Sequence, residues 1–167
     1  MDKRARQYLG IILALVCYYL LHEGAHALYA LATGVFRGVK FMGLGIQIEI
    51  NDAALSDIQL MSFCAVGAIT TLIAAYLMTA LTPKICRSQS KPFKAVCYYI
   101  TMTLLLLDPL YLSLLCGFFG GGDMNGIALL IPEAAARCGF GCLLIINALL
   151  FFKKILPRYT ESFRRDV

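Results

Sequence analysis

Four stretches of the chain are long, apolar and poor in charge. Residues 8–21 are apolar without a break, are interrupted at His22 and Glu23, and resume at 27–32. Residues 58–81 carry no charge at all. Residues 95–119 are broken only by Asp108-Pro109, and residues 134–156 form a fourth run. About 20 apolar residues span a bilayer core as a helix, so the pattern predicts transmembrane helices over 8–32, 58–81, 95–119 and 134–156. A charged motif in mid-span separates the first run from a cleavable signal peptide.

Between the first two runs the period changes. Gly34 marks a helix end. Residues 46–50 then alternate Ile46, Ile48 and Ile50 with Gln47 and Glu49, a strand period, and Gly43 and Gly45 supply a turn. A short β-hairpin is expected over 35–50, with 51–57 as a polar connection. Gly120, Gly121 and Gly122 make a flexible break after the third run, followed by a short helix from 123 to about 131, ended by Pro132. The fold class is therefore an all-α polytopic membrane protein with one hairpin, a single domain over 1–167.

Composition supports this reading. Hydrophobic residues make up 60% of the 167 residues and charged residues 15%, and the mean hydropathy is +0.75. Soluble domains average roughly 45–50% and about 25%. A soluble chain this short could not hide so much apolar surface. The same numbers exclude disorder, collagen and coiled coil. Twelve of the fifteen Lys and Arg residues fall at the start, in the 84–94 loop or at the end. With four spans these lie on one side, which predicts cytoplasmic termini. No aromatic residues interleave with a basic face, so a nucleic-acid partner is not expected. The seven cysteines form no CxxC pair and lie mostly in apolar runs, as small buried hydrophobes do.

The candidate chemistry lies in the first run. His22-Glu23-Gly24-Ala25-His26 is HExxH. Residues four apart on a helix share one face, so two neutral imidazoles can grip one zinc ion while the Glu approaches a water held by the metal. Such a water has a pKa near 7, and the carboxylate can carry its proton to a leaving amine. The chain has only two histidines, and both are here. Random placement would space them by four in roughly one case in eighty, before the adjacent Glu is counted. An ionisable cluster inside a span is a functional feature by default.

Catalytic zinc keeps three protein ligands and one open position. Asp108 and Asp123 are the two carboxylates that could complete the set. On straight helices, depth favours Asp108: His22 lies about 21 Å from the start of its span, Asp108 about 20 Å from the same face, and Asp123 about 42 Å. The glycines before Asp123, however, can fold the chain back. Asp108 would then support a histidine or the Gly-rich turn. Asn125 and Asn147 are candidates for an oxyanion or substrate contact. Asn147 could equally serve helix packing.

HEGAH inside the first span, a Gly-rich strand segment, and a later span followed by an Asp-Gly-type segment together resemble the site-2-protease family of intramembrane zinc metalloproteases. The family's Leu-Asp-Gly motif has its counterpart in Gly122-Asp123-Met124-Asn125-Gly126. The paired Asp108 and Asp123 look like those of a divergent bacterial branch, and no PDZ-like domain is inserted. The resemblance implies one Zn2+ per chain held by His22, His26 and Asp123, with Glu23 as base. It also implies a bacterial cell membrane and a transmembrane or membrane-adjacent peptide as substrate. Residues 45–50 offer an edge to which such a peptide could add as a strand. The rival readings are a non-catalytic metal-binding scaffold or transporter subunit, and a zinc hydrolase acting on lipid.

Overall fold

The structure, a computed structural model, describes residues 2–42 and 45–165. Helix α1 spans Lys3–Ala32, strands β1 and β2 span Phe36–Met42 and Gly45–Ile50, and α2 spans Asp57–Ile85. Helix α3 spans Lys91–Leu110, α4 Asp123–Ile127, α5 Glu133–Leu150 and α6 Leu156–Arg165. Four helical segments are long and apolar enough to cross a membrane: Lys3–Ala32, Asp57–Ile85, Lys91–Phe118 and Glu133–Arg165. The chain is thus a multi-pass membrane protein with a hairpin between its first two spans.

Local chemistry fixes the ends of these elements. Asp2 caps α1 by accepting from the Ala5 N–H at 2.6 Å. At the other end Gly34 takes φ +72. The Val35 N–H returns to the Ala30 carbonyl and the Gly34 N–H to that of Leu31, the Schellman closure that only glycine adopts cheaply. Helix α2 opens with a reciprocal Ser56–Gln59 capping box. Strands β1 and β2 pair antiparallel, with Val39 opposite Ile48 and Lys40 opposite Gln47. The turn expected at Gly43 lies outside the described residues.

Several helix boundaries differ from expectation: α1 begins at Lys3 rather than 8, α4 ends at Ile127 rather than about 131, and three further changes have a local cause. Helix α2 runs through Pro83 to Ile85, because a proline near the helix end removes one N–H without unwinding the last turn. The fourth segment continues beyond 156 as the amphipathic α6, after a π-turn over Phe151–Ile155. In the third span the helix is not interrupted at Asp108-Pro109. It passes through both and breaks afterwards, into a π-turn over Tyr111–Leu115 and a 3-10 turn over Cys116–Phe118. Pro109 has no N–H for the carbonyl four residues earlier, that of Leu105. The Asn147 amide of α5 donates to that carbonyl at 2.8 Å, so the helix keeps its course with no bare carbonyl in the interior.

Helices α1, α2 and α3 pack against one another, and α5 lies against α3. The buried face of α1 is a stripe at four-residue spacing: Gly10, Ala14, Tyr18, His22, His26 and Ala30. Two apolar clusters make up the core. One contains Ala30, Ala68 and Leu112, the other Tyr18, Ala75 and Leu104. On each of the three helices a polar residue falls between the two clusters: the histidines on α1, Thr71 on α2 and Asp108 on α3. The fold therefore encloses one polar layer between two apolar ones.

Candidate metal centre

His22 and His26 lie on the buried stripe of α1 with their rings 4.9 Å apart. Their Nε2 atoms approach to 3.2 Å. Asp123 joins them from the other end of the chain. Its Oδ2 is 3.1 Å from His22 Nε2 and 3.5 Å from His26 Nε2. One ligand atom from each of the three residues lies within 4.8 Å of the others.

The approach of Asp123 depends on glycine. Gly120, Gly121 and Gly122 have φ of +81, +87 and +49, three successive left-handed residues that reverse the chain where other side chains would be strained. Helix α4 then packs on α2 through Gly126, whose Cβ, if present, would collide with Cys64. The chain thus folds back, and the distance along a straight helix no longer applies. Burial alone would raise the Asp123 pKa, but hydrogen bonds and charge from His22 and His26 outweigh it and hold the carboxylate at about 2.

Asp108 approaches the other side of His22. Its Oδ1 is 3.3 Å from His22 Nδ1, without the alignment of a hydrogen bond. Asp108 is 1% exposed. It accepts from the Tyr18 hydroxyl at 2.5 Å and lies in hydrogen-bond contact with the Thr71 hydroxyl. The two carboxylates therefore divide the imidazole, Asp123 on the Nε2 side and Asp108 on the Nδ1 side. His26 Nδ1 has no hydrogen-bond partner among the described residues.

Glu23 is half-buried, and its carboxylate faces the backbone N–H of Ile48. In an antiparallel pair, alternate residues direct their main-chain groups toward and away from the partner. The Asn51 N–H bonds across to the Val35 carbonyl, so by alternation residues 46, 48 and 50 present theirs on the unpaired edge of β2. That edge borders a cleft of about 630 Å³ between β2 and α4, whose lining includes Ile48, Phe63, Gly122 and Asn125. The Phe63 ring lies tilted against that of His26, with centroids 4.8 Å apart.

The two asparagines part company. Asn125 lines the cleft and donates to the Gly120 carbonyl at 3.0 Å, closing the glycine turn. Asn147 is fully buried, accepts from the Tyr76 hydroxyl at 2.8 Å and donates to Leu105. It fastens α5 to α2 and α3, and the structure does not bring it to the His–Asp cluster.

Three residues of the site carry no role that the sequence assigns. Tyr18 sits one turn before His22, and Thr71 one turn after Gly67. Gly67 itself faces the imidazoles: a Cβ there would lie 2.5 Å from His26 Nε2 and 2.8 Å from His22 Nε2. Four-residue spacing from His22 could have found Tyr18. In α2, Gly67 with Thr70 and Thr71 is the nearest match to the second-span signature of the family the chain resembles, and the sequence gives it no role.

The arrangement fits a metal ion by its chemistry. If each ring keeps its proton on Nδ1, three acceptor atoms meet with no hydrogen between them, and one added proton can lie along only one of the three edges. A cation among them removes that conflict. Two imidazoles and one carboxylate suit zinc with one position left open. Comparison with protein-family models, curated proteins and solved structures gives no match to this chain.

Proposed function

We propose that this chain is an intramembrane zinc endopeptidase similar to the site-2 proteases. One observation carries the reading: His22, His26 and Asp123 converge within ligand distance, with Glu23 beside them and directed at a free strand edge. His22, His26 and Asp123 would hold the ion. When bound, zinc acts as a Lewis acid toward a carbonyl and brings the pKa of water to about 7.

The chain's own residues do the rest. Asp108, fixed by Tyr18 and Thr71, sets the orientation of the His22 ring. Glu23 takes the proton of the attacking water and returns it to the amine that leaves. A peptide adding to the open edge of β2 would be extended in the cleft, with its main chain exposed beside Glu23. Extension matters because a helical segment keeps its carbonyls in hydrogen bonds. A mainly apolar groove of about 470 Å³ in the α1–α2 seam passes Gly24 and Thr70. It offers a lipid-embedded segment a lateral approach. The charge pattern supports a reading with both termini in the cytoplasm.

The test is cleavage of a membrane peptide by reconstituted protein beside Glu23→Gln. The amide is nearly isosteric, so the variant should bind zinc as wild type does and lose a factor of about 100 or more in rate. Zinc loss in Glu23→Gln would make the carboxylate a ligand, and undiminished cleavage would remove it from the chemistry.

A further inference from the structure

The link between the third span and Asp123 ends in Phe118-Phe119-Gly120-Gly121-Gly122, and residues 109–122 carry no charge. Phe118 and Phe119 are 83% and 71% exposed. The return from α4 to α5 is apolar too, with Leu129, Leu130 and Ile131 exposed. Adjacent exposed apolar residues of this kind mark an interaction surface. From Lys91 to Phe118 the third span measures about 40 Å at about 1.5 Å per residue, and a bilayer with its headgroups measures about 40–45 Å. With Lys91 at one surface of the membrane, the two phenylalanines reach the other.

Within the protein this link is held by its main chain. The Phe119 and Gly121 N–H groups both return to the Cys116 carbonyl, at 3.2 and 2.8 Å. The Met124 N–H closes on Gly121 and the Asn125 N–H on Gly122, and the Asn125 side chain reaches Gly120. These bonds shape the turn, and the phenylalanine rings take no part in them. Glycine loses more conformational freedom on ordering than any other residue, and three stand in a row directly before Asp123. The place where order is most costly is thus flanked by two large apolar rings with little protein around them.

We propose that Phe118 and Phe119 form a lipid anchor: the two rings insert into the bilayer interface and hold the glycine turn, and with it Asp123, where it meets the histidines. Continuity selects lipid over a protein partner. Leu114, one turn before Phe118 on the span itself, is 56% exposed, so the rings extend the lipid-facing surface of the third helix. Burial of the rings among acyl chains removes apolar area from water and fixes one end of a turn that its own hydrogen bonds leave at the surface. The anchor stands on exposure and depth; its consequence for metal retention rests on the reading of His22, His26 and Asp123 as ligands.

The chain has no tryptophan, so F118W and F119W each carry a single fluorophore. In phosphatidylcholine vesicles, lipid brominated near the headgroup should quench both, and more strongly than lipid brominated near the chain end. Absence of quenching by either lipid would overturn the anchor. Hydrogen exchange over residues 123–128 in the same vesicles reads the coupling without reference to metal. It should quicken about tenfold in F118S/F119S, the equivalent of one residue's backbone order, and zinc retention against a chelator should fall with it. The apolar F118L/F119L should exchange as wild type does. So should F152S, which removes an exposed ring from the fourth span. Unchanged exchange in F118S/F119S, or an equal rise in F152S, would overturn the coupling. Quickened exchange in a protein that takes up no zinc would uphold the anchor and refute the metal reading.

Discussion

Asp108 and Asp123 approach opposite ends of one imidazole, and the difference in their surroundings predicts a difference in their loss. Asp123 shares the Nε2 side with both histidines, so on the proposed reading Asp123→Ala would remove a ligand. Asp108 acts through His22, and its replacement by Asn should weaken zinc by about 10- to 100-fold, the usual worth of a supporting partner. Competition with a chelator, on variants checked for folding, measures both; a larger loss in Asp108→Asn than in Asp123→Ala would reverse the assignment. Gly67 makes a sharper case. A methyl there would overlap His26 Nε2, and overpacking of this kind costs about 1–3 kcal/mol or displaces the ring. Gly67→Ala should therefore lose zinc affinity while Gly24→Ala, with open space around its Cβ, should not. The histidines and Glu23 were legible from spacing alone. The roles of Gly67 and Thr71 were not, because only the packing of α2 turns Gly67 toward the ring nitrogens and Thr71 toward Asp108.

At the scale of elements, Asn147 and Pro109 form a pair whose meaning lies in backbone hydrogen bonding. Pro109 cannot donate to the Leu105 carbonyl, and Asn147 does so instead. Asn147→Ala should cost about 1–3 kcal/mol by leaving that carbonyl bare, with zinc binding unchanged. In Pro109→Ala, where an N–H is restored, the same change should cost much less. Thermal unfolding of the four proteins in a double-mutant cycle gives the coupling, and additive effects would dissolve the pair. Strand β2 carries the other prediction. Ile48→Pro removes a main-chain donor from the free edge but none from the hairpin ladder, given the alternation from Asn51 to Ile48. Peptide cleavage should fall severalfold or more with zinc stoichiometry intact; normal cleavage would exclude strand addition at this edge. The hairpin was legible in the Ile46–Ile48–Ile50 alternation. The helical run through Pro109 was not, because its compensation comes from a helix forty residues away.

On the scale of the whole molecule, three spans and one re-folded turn bring residues from positions 18 to 123 into a single polar layer. The spans were legible because length and apolarity suffice for them. The position of Asp123 was open, because depth along a straight helix and a glycine-driven reversal give opposite answers, and three left-handed glycines favour the second. The charge pattern predicts that tags in the 84–94 loop and after α6 share one side of the membrane and that a tag in 51–57 lies on the other; a tag after α6 on the same side as 51–57 would contradict it. The central claim is that His22, His26 and Asp123 hold a zinc ion, and the most direct measurement is metal analysis of the purified protein beside His22→Ala. The account predicts about one zinc per chain in wild type, on the stoichiometry of a single catalytic site, and almost none in His22→Ala of unchanged helicity. Equal metal content in the two proteins, or a wild type that takes up no zinc, would contradict it.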